Sequence, residues 1–83
     1  MKSETEIKAD LRDWIVRKGK IQAEEINDKT PFLEQRIISS VQLMELILFM
    51  EDLSGNAIDV KSLKKGMLRD IDTIYANFFT NTA

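Results

Sequence analysis

Apolar residues recur along this chain at helical spacing in separate stretches, with turn-forming residues between them. The first stretch is Ile7, Leu11, Trp14 and Ile15, and the stem of Lys18 continues its face. Ser3-Glu4-Thr5-Glu6 reads as the capping box that opens it. Asp13 and Arg17 form an i,i+4 pair of favourable sign, and Arg17 and Lys18 suit the negative end of the helix dipole. Gly19 is the expected stop. One apolar face makes this a packed amphipathic helix.

The stretch from Ile37 to Gly55 is of another kind. Ser39 is a good N-cap, Gln42 completes a capping box, and Gly55-Asn56 ends the run. At about 100° per residue, Leu43, Leu46, Ile47, Met50 and Leu53 form one broad stripe. Val41, Met44 and Leu48 form a second, bordered by Glu51 on one side and by Glu45 and Asp52 on the other. A surface helix needs only one apolar face. The second stripe therefore requires a second contact, either more core or a partner.

Between these helices, Lys20 to Ile38 is too long for a connection inside a compact domain unless it is anchored. Ile21, Ile26, Phe32, Leu33, Ile37 and Ile38 are the anchors, and Thr30-Pro31 is expected to open a single helical turn. Downstream, Asp59 is expected to cap a short third helix from Val60 to about Lys65, ended by Gly66, with Ile58 and Leu63 facing the core. Asp70 caps a last helix carrying Ile71, Ile74, Tyr75, Phe78 and Phe79 on one side, with Asp72 in its first turn. The tail Thr80 to Ala83 is expected to fray.

Composition narrows the chemistry. With 83 residues, the chain makes one small domain, 1–83. It lacks cysteine and histidine, which removes disulfides, Cys/His zinc sites and Ser-His or Cys-His nucleophile pairs. A net charge of -2 gives no reason to expect nucleic acid. The charged start does not read as a signal peptide, and no apolar run reaches the roughly 18 residues of a membrane span. A soluble cytoplasmic protein that does not engage membranes is the expectation.

The central stretch resembles the second helix of acyl carrier proteins and the related peptidyl and aminoacyl carrier domains. Their signature is Asp-Ser-Leu at the helix start, then apolar residues, a Glu, and acids before a Gly. Ser39-Ser40-Val41 stands at Asp-Ser-Leu, followed by Met44-Glu45-Leu46 and Glu51-Asp52, without a gap from Ile37 to Gly55. The Asp is missing and Val replaces Leu. Thr30-Pro31-Phe32-Leu33-Glu34 is similar to the loop upstream of the carrier serine, and Leu63 through Ile74 is similar to the link and last helix of stand-alone carriers. Together with the periodicity, the resemblance implies an all-α fold: an antiparallel bundle of three longer helices with a short third helix at one side.

For function, the resemblance implies a monomeric carrier without catalytic activity of its own. Ser40 would hold a 4′-phosphopantetheine arm, derived from coenzyme A, whose thiol carries an acyl or aminoacyl thioester. Ser39 is the competing hydroxyl; Val41 at the Leu position sets the register and makes Ser39 the cap. Ser39, Val41, Met44, Glu45 and Leu48 correspond to the positions that carriers show their enzymes. The implied partners are a phosphopantetheinyl transferase (holo-synthase), an acyl or amino-acid ligase, and a downstream synthase or transferase. The cargo stays open among a fatty acyl chain, a polyketide unit, an amino acid and a D-alanyl group. The rival reading is a helical interaction module of the same fold that is never modified, and the missing Asp is its best support. Glu24-Glu25 and Glu51-Asp52 read as solvated acids, since i,i+1 neighbours do not face each other. Lys61, Lys64, Lys65 and Arg69 read as a basic, solvated surface.

Overall fold

The computed structural model describes residues 3–59, 61 and 63–79. Their regular elements are helical: α1 (Glu4–Gly19), a 3-10 turn at Ala23–Glu25, α2 (Ser40–Ser54), a second 3-10 turn at Lys65–Leu68, and α3 (Ile71–Phe78). No strand occurs among the described residues, and no helix among them is long and apolar enough to cross a membrane.

α1 opens on the expected capping box. The Glu6 N–H donates to Ser3 Oγ at 3.2 Å, and the Ser3 N–H donates to Glu6 Oε1 at 3.4 Å. Ile7, Leu11, Trp14 and Ile15 are its buried residues. Its end departs from expectation. The helix runs through Gly19, and Lys20 takes the left-handed cap conformation at φ 55. Gly19 is required for a different reason. A Cβ there would lie 2.6 Å from Ile37 Cγ2 and 2.9 Å from the Ile37 carbonyl oxygen. The missing side chain lets the end of the long connection cross the last turn of α1.

That connection is tied down along its length. Ile26, Phe32 and Ile38 are buried, and Ile21, Leu33 and Ile37 pack against the core from partly buried positions. Asn27 Oδ1 accepts the Lys29 N–H, and Thr30 Oγ1 accepts the Asn27 N–H. The turn after Pro31 forms as expected, with the Gln35 N–H donating to the Pro31 carbonyl. It closes as a Schellman motif without glycine. Arg36 is left-handed at φ 59, its N–H donates to the Leu33 carbonyl, and the Ile37 N–H donates to the Phe32 carbonyl.

α1 and α2 run antiparallel. Lys18 lies beside Glu45 at 3.8 Å, and the Trp14 and Phe49 rings stack with centroids 5.9 Å apart. Asp10 and Asp13 share a cleft with Phe49 and Leu53. α3 closes the core from another side with Ile71 and Ile74. Its cap is the expected one: the Thr73 N–H donates to Asp70 Oδ1 at 2.7 Å. Lys8 joins α1 to α3. Its Nζ is 2.7 Å from both Asp72 Oδ1 and Glu4 Oε2 and lies 5.3 Å from the Tyr75 ring centre. The hydrogen bonds to Asp72 and then to Glu4 hold the ammonium well above the usual lysine range.

Two expectations about length and position need correction. α3 has eight residues, so it is shorter than the two other helices. A helical turn lies at Lys65–Leu68, where the expected short helix was to end, and Gly66 sits inside it. Val60 and Ser62 of that expected helix, and the tail 80–83, lie outside the described residues. Asp59 Oδ1 accepts the Lys61 N–H at 3.0 Å, the bond an N-cap makes, and Lys61 itself is in 3-10 conformation, so the expected cap forms.

Candidate functional site

α2 starts where the connection, the end of α1 and the first turn of α2 meet. Ser39 is the N-cap: the Gln42 N–H donates to its Oγ at 3.2 Å, and its own N–H donates to Gln42 Oε1 at 3.0 Å. Gln42 also reaches across, and its Nε2 donates to the Lys18 carbonyl at the end of α1, at 3.0 Å. Nothing in the local pattern signals this last bond, since the two residues are 24 positions apart.

Ser40 is the first helical residue, and it is exposed. Its side chain stands outside the capping box, which Ser39 and Gln42 occupy. The Ser40 and Val41 N–H groups belong to the first turn, which has no intrahelical acceptors. No acid lies in that turn. A hydroxyl here is accessible, and an anion attached to it meets free N–H groups and the positive end of the helix dipole. These residues therefore fit a phosphodiester at Ser40.

The broad stripe of α2 enters the core through Leu46, Ile47 and Met50, with Leu43 and Leu53 partly buried beside them. The second stripe stays out. Val41 is 75% exposed, Met44 50% and Leu48 63%, the large hydrophobic residues most open to solvent among those described. Core, the first of the two contacts the stripe could have had, is thus excluded. Ser39, Ser40, Val41, Met44, Glu45 and Leu48 are all exposed on one helix.

The acids around the stripe are less free than the sequence suggests. Glu45 pairs with Lys18 across the helix gap. Glu51 turns back to accept the Ile58 N–H at 2.6 Å, fixing the chain that leaves α2. The basic region is partly neutralised as well, with Arg69 3.9 Å from Glu34 and 3.7 Å from Asp70. One open cleft is that between α1 and α2; another is lined by Leu33, Glu34, Gly66 and Arg69. Neither is lined by Ser40 or the exposed stripe. Among the described residues no three acids, histidines or cysteines are grouped to hold a metal ion.

No family model matches this chain, and no curated protein matches it.

Proposed function

We propose that the protein is a discrete carrier that holds an acyl or aminoacyl cargo on a 4′-phosphopantetheine arm attached to Ser40. The observation that carries this reading is the pairing of an exposed serine, just inside a capped helix start, with the exposed stripe Val41, Met44 and Leu48 on the same helix. The resemblance of Ile37 to Gly55 to the carrier signature supplies the chemistry, and the antiparallel packing of α1 on α2 suits a carrier bundle.

In attachment, Ser40 Oγ loses its proton to a base of a phosphopantetheinyl transferase and bonds to the pantetheine-bearing phosphorus of coenzyme A. The pyrophosphate linkage breaks, and adenosine 3′,5′-bisphosphate leaves. The arm supplies a terminal thiol for a thioester. The chain itself presents the hydroxyl, favours the resulting anion through its helix start, and offers Val41, Met44, Leu48 and Glu45 to partners. It performs no catalysis; a tether raises the effective concentration of cargo at each partner's active site. The partners in this reading are the transferase, a ligase that loads the thiol, and a downstream synthase or transferase, with the carrier working as a cytoplasmic monomer.

An unmodified interaction module is the second reading. It is favoured by Ser39, a neutral cap at the position where carriers have Asp. Intact mass after incubation with coenzyme A and a broad-specificity phosphopantetheinyl transferase separates the two. A gain of one phosphopantetheine is expected. An unchanged mass for the folded protein would leave the interaction module.

A further inference from the structure

One side chain at the start of α2 acts in two directions. Through Oε1, Gln42 accepts the Ser39 N–H; through Nε2, it donates to the Lys18 carbonyl. Its own N–H is bound by Ser39 Oγ. The carbonyl at Lys18 is among those at the end of α1 that lack an intrahelical donor. One amide thus satisfies an orphan donor of α2 and an orphan acceptor of α1, and it couples the two helices at the residue pair flanking Ser40.

The same junction is braced twice more. Lys18 Nζ approaches Glu45 at 3.8 Å, and Gly19 admits Ile37 against its backbone. Neither brace bonds to the N-cap itself, as Gln42 does. The ion pair is solvent-exposed and so contributes little. The Gly19 contact holds Ile37, which precedes the cap.

We infer that Gln42 is a positioning residue for Ser40: its side-chain amide fixes the first turn of α2 to α1, so that the Ser40 hydroxyl keeps a constant relation to the face formed by Val41, Met44 and Leu48. This rests on the carrier reading above. A modifying enzyme that docks on Met44 and Leu48 must find Ser40 one turn and two turns away. A frayed first turn leaves Met44 and Leu48 in place and moves Ser40. The amide supplies both functions needed here, an acceptor and a donor on one group. Glutamate keeps the acceptor for Ser39 and loses the donor for Lys18, whereas alanine loses both.

The experiment is steady-state transfer of the arm from coenzyme A by a broad-specificity phosphopantetheinyl transferase, on the full chain and its Gln42→Ala and Gln42→Glu variants. Hydrogen exchange at the Val41 and Gln42 amides is followed in parallel. For Gln42→Ala, kcat is expected to fall about fivefold to tenfold, the scale of losing a helix cap, with KM within about twofold of the parent. Gln42→Glu should recover part of that loss, and exchange in the first turn should speed up most in Gln42→Ala. An unchanged kcat in Gln42→Ala overturns the inference. So does a rise in KM alone, which is what a smaller folded fraction would give. A parent chain that accepts no arm at all defeats the carrier reading instead, and this inference with it.

Discussion

The two apolar faces of α2 are built from similar residues and have opposite fates. Leu46, Ile47 and Met50 are closed to solvent, while Val41, Met44 and Leu48 are among the most open side chains of their kind. Burying one such side chain stabilises a protein by about 1.5–3 kcal/mol. A domain of this size, with a modest core, leaves three of them in water on one helix. The flanking charges do not compensate, because Glu45 is paired with Lys18 and Glu51 is bound to the Ile58 N–H. In the proposed function, this exposed apolar face is the surface offered to partner enzymes. The buried face is explained by stability alone.

The contrast between the faces is open to direct attack. The largest expected effect is at the serine that adjoins the exposed face. Ser40→Ala should gain no phosphopantetheine at all, while Ser39→Ala, which removes only a cap, should still be modified. If Ser40→Ala gains the same mass as the parent, the assignment to Ser40 is wrong and Ser39 becomes the candidate.

Next in size is the core face. Leu46→Ala should cost roughly 2–5 kcal/mol, whereas Leu48→Gln should stay within about 0.5 kcal/mol of the parent and yet slow arm transfer. Thermal melts in which the two variants fall equally would place the second stripe inside the core.

Gly19→Ala should destabilise by about 1–3 kcal/mol, as overpacked sites do. Its Cβ meets the Ile37 carbonyl, which cannot turn aside as the end of a side chain can. A variant as stable as the parent would mean that the connection is free to shift away from α1.

The smallest effect should come from salt. Few charges are left free around Val41, Met44 and Leu48, so transfer to the chain should slow only slightly as ionic strength rises. A carrier with an acidic second helix should slow more. For the same reason, loading by a general fatty-acid malonyl transferase should be poor beside that of a standard acidic carrier, since charge sets association rate and specificity more than affinity. Equal loading of the two carriers would argue against a specialised partner.

What could be read from the sequence was local. Ser3, Ser39 and Asp70 cap the helices as expected, and Gly55 ends α2 in the left-handed conformation at φ 74. Each of these devices closes a bond within three or four residues, so neighbouring side chains suffice to specify it. The periodic faces of Ile7, Leu11, Trp14 and Ile15 and of Leu46, Ile47 and Met50 were likewise legible, because helical spacing alone puts such residues on one side. Ser40 stood out through its resemblance to a carrier motif; its exposure was not a local property.

The tertiary structure decided what depends on distant neighbours. Val41, Met44 and Leu48 have the spacing of a second core face, and they lie in solvent because none of the described helices packs on them. Gly19 looked like a helix stop because a glycine after a periodic run usually is one. Its role against Ile37 needed the course of the long connection between them. The turn at Lys65–Leu68 could not be told from a helix ending at Lys65, since a single helical turn has too few periodic positions to fix its place. Gln42 was legible as a cap and not as a clamp, because its second bond goes to a carbonyl that only packing of α1 against α2 brings within reach. Side-chain pattern carries the information for bonds inside one turn; contacts across the core exist only once the helices have been put side by side.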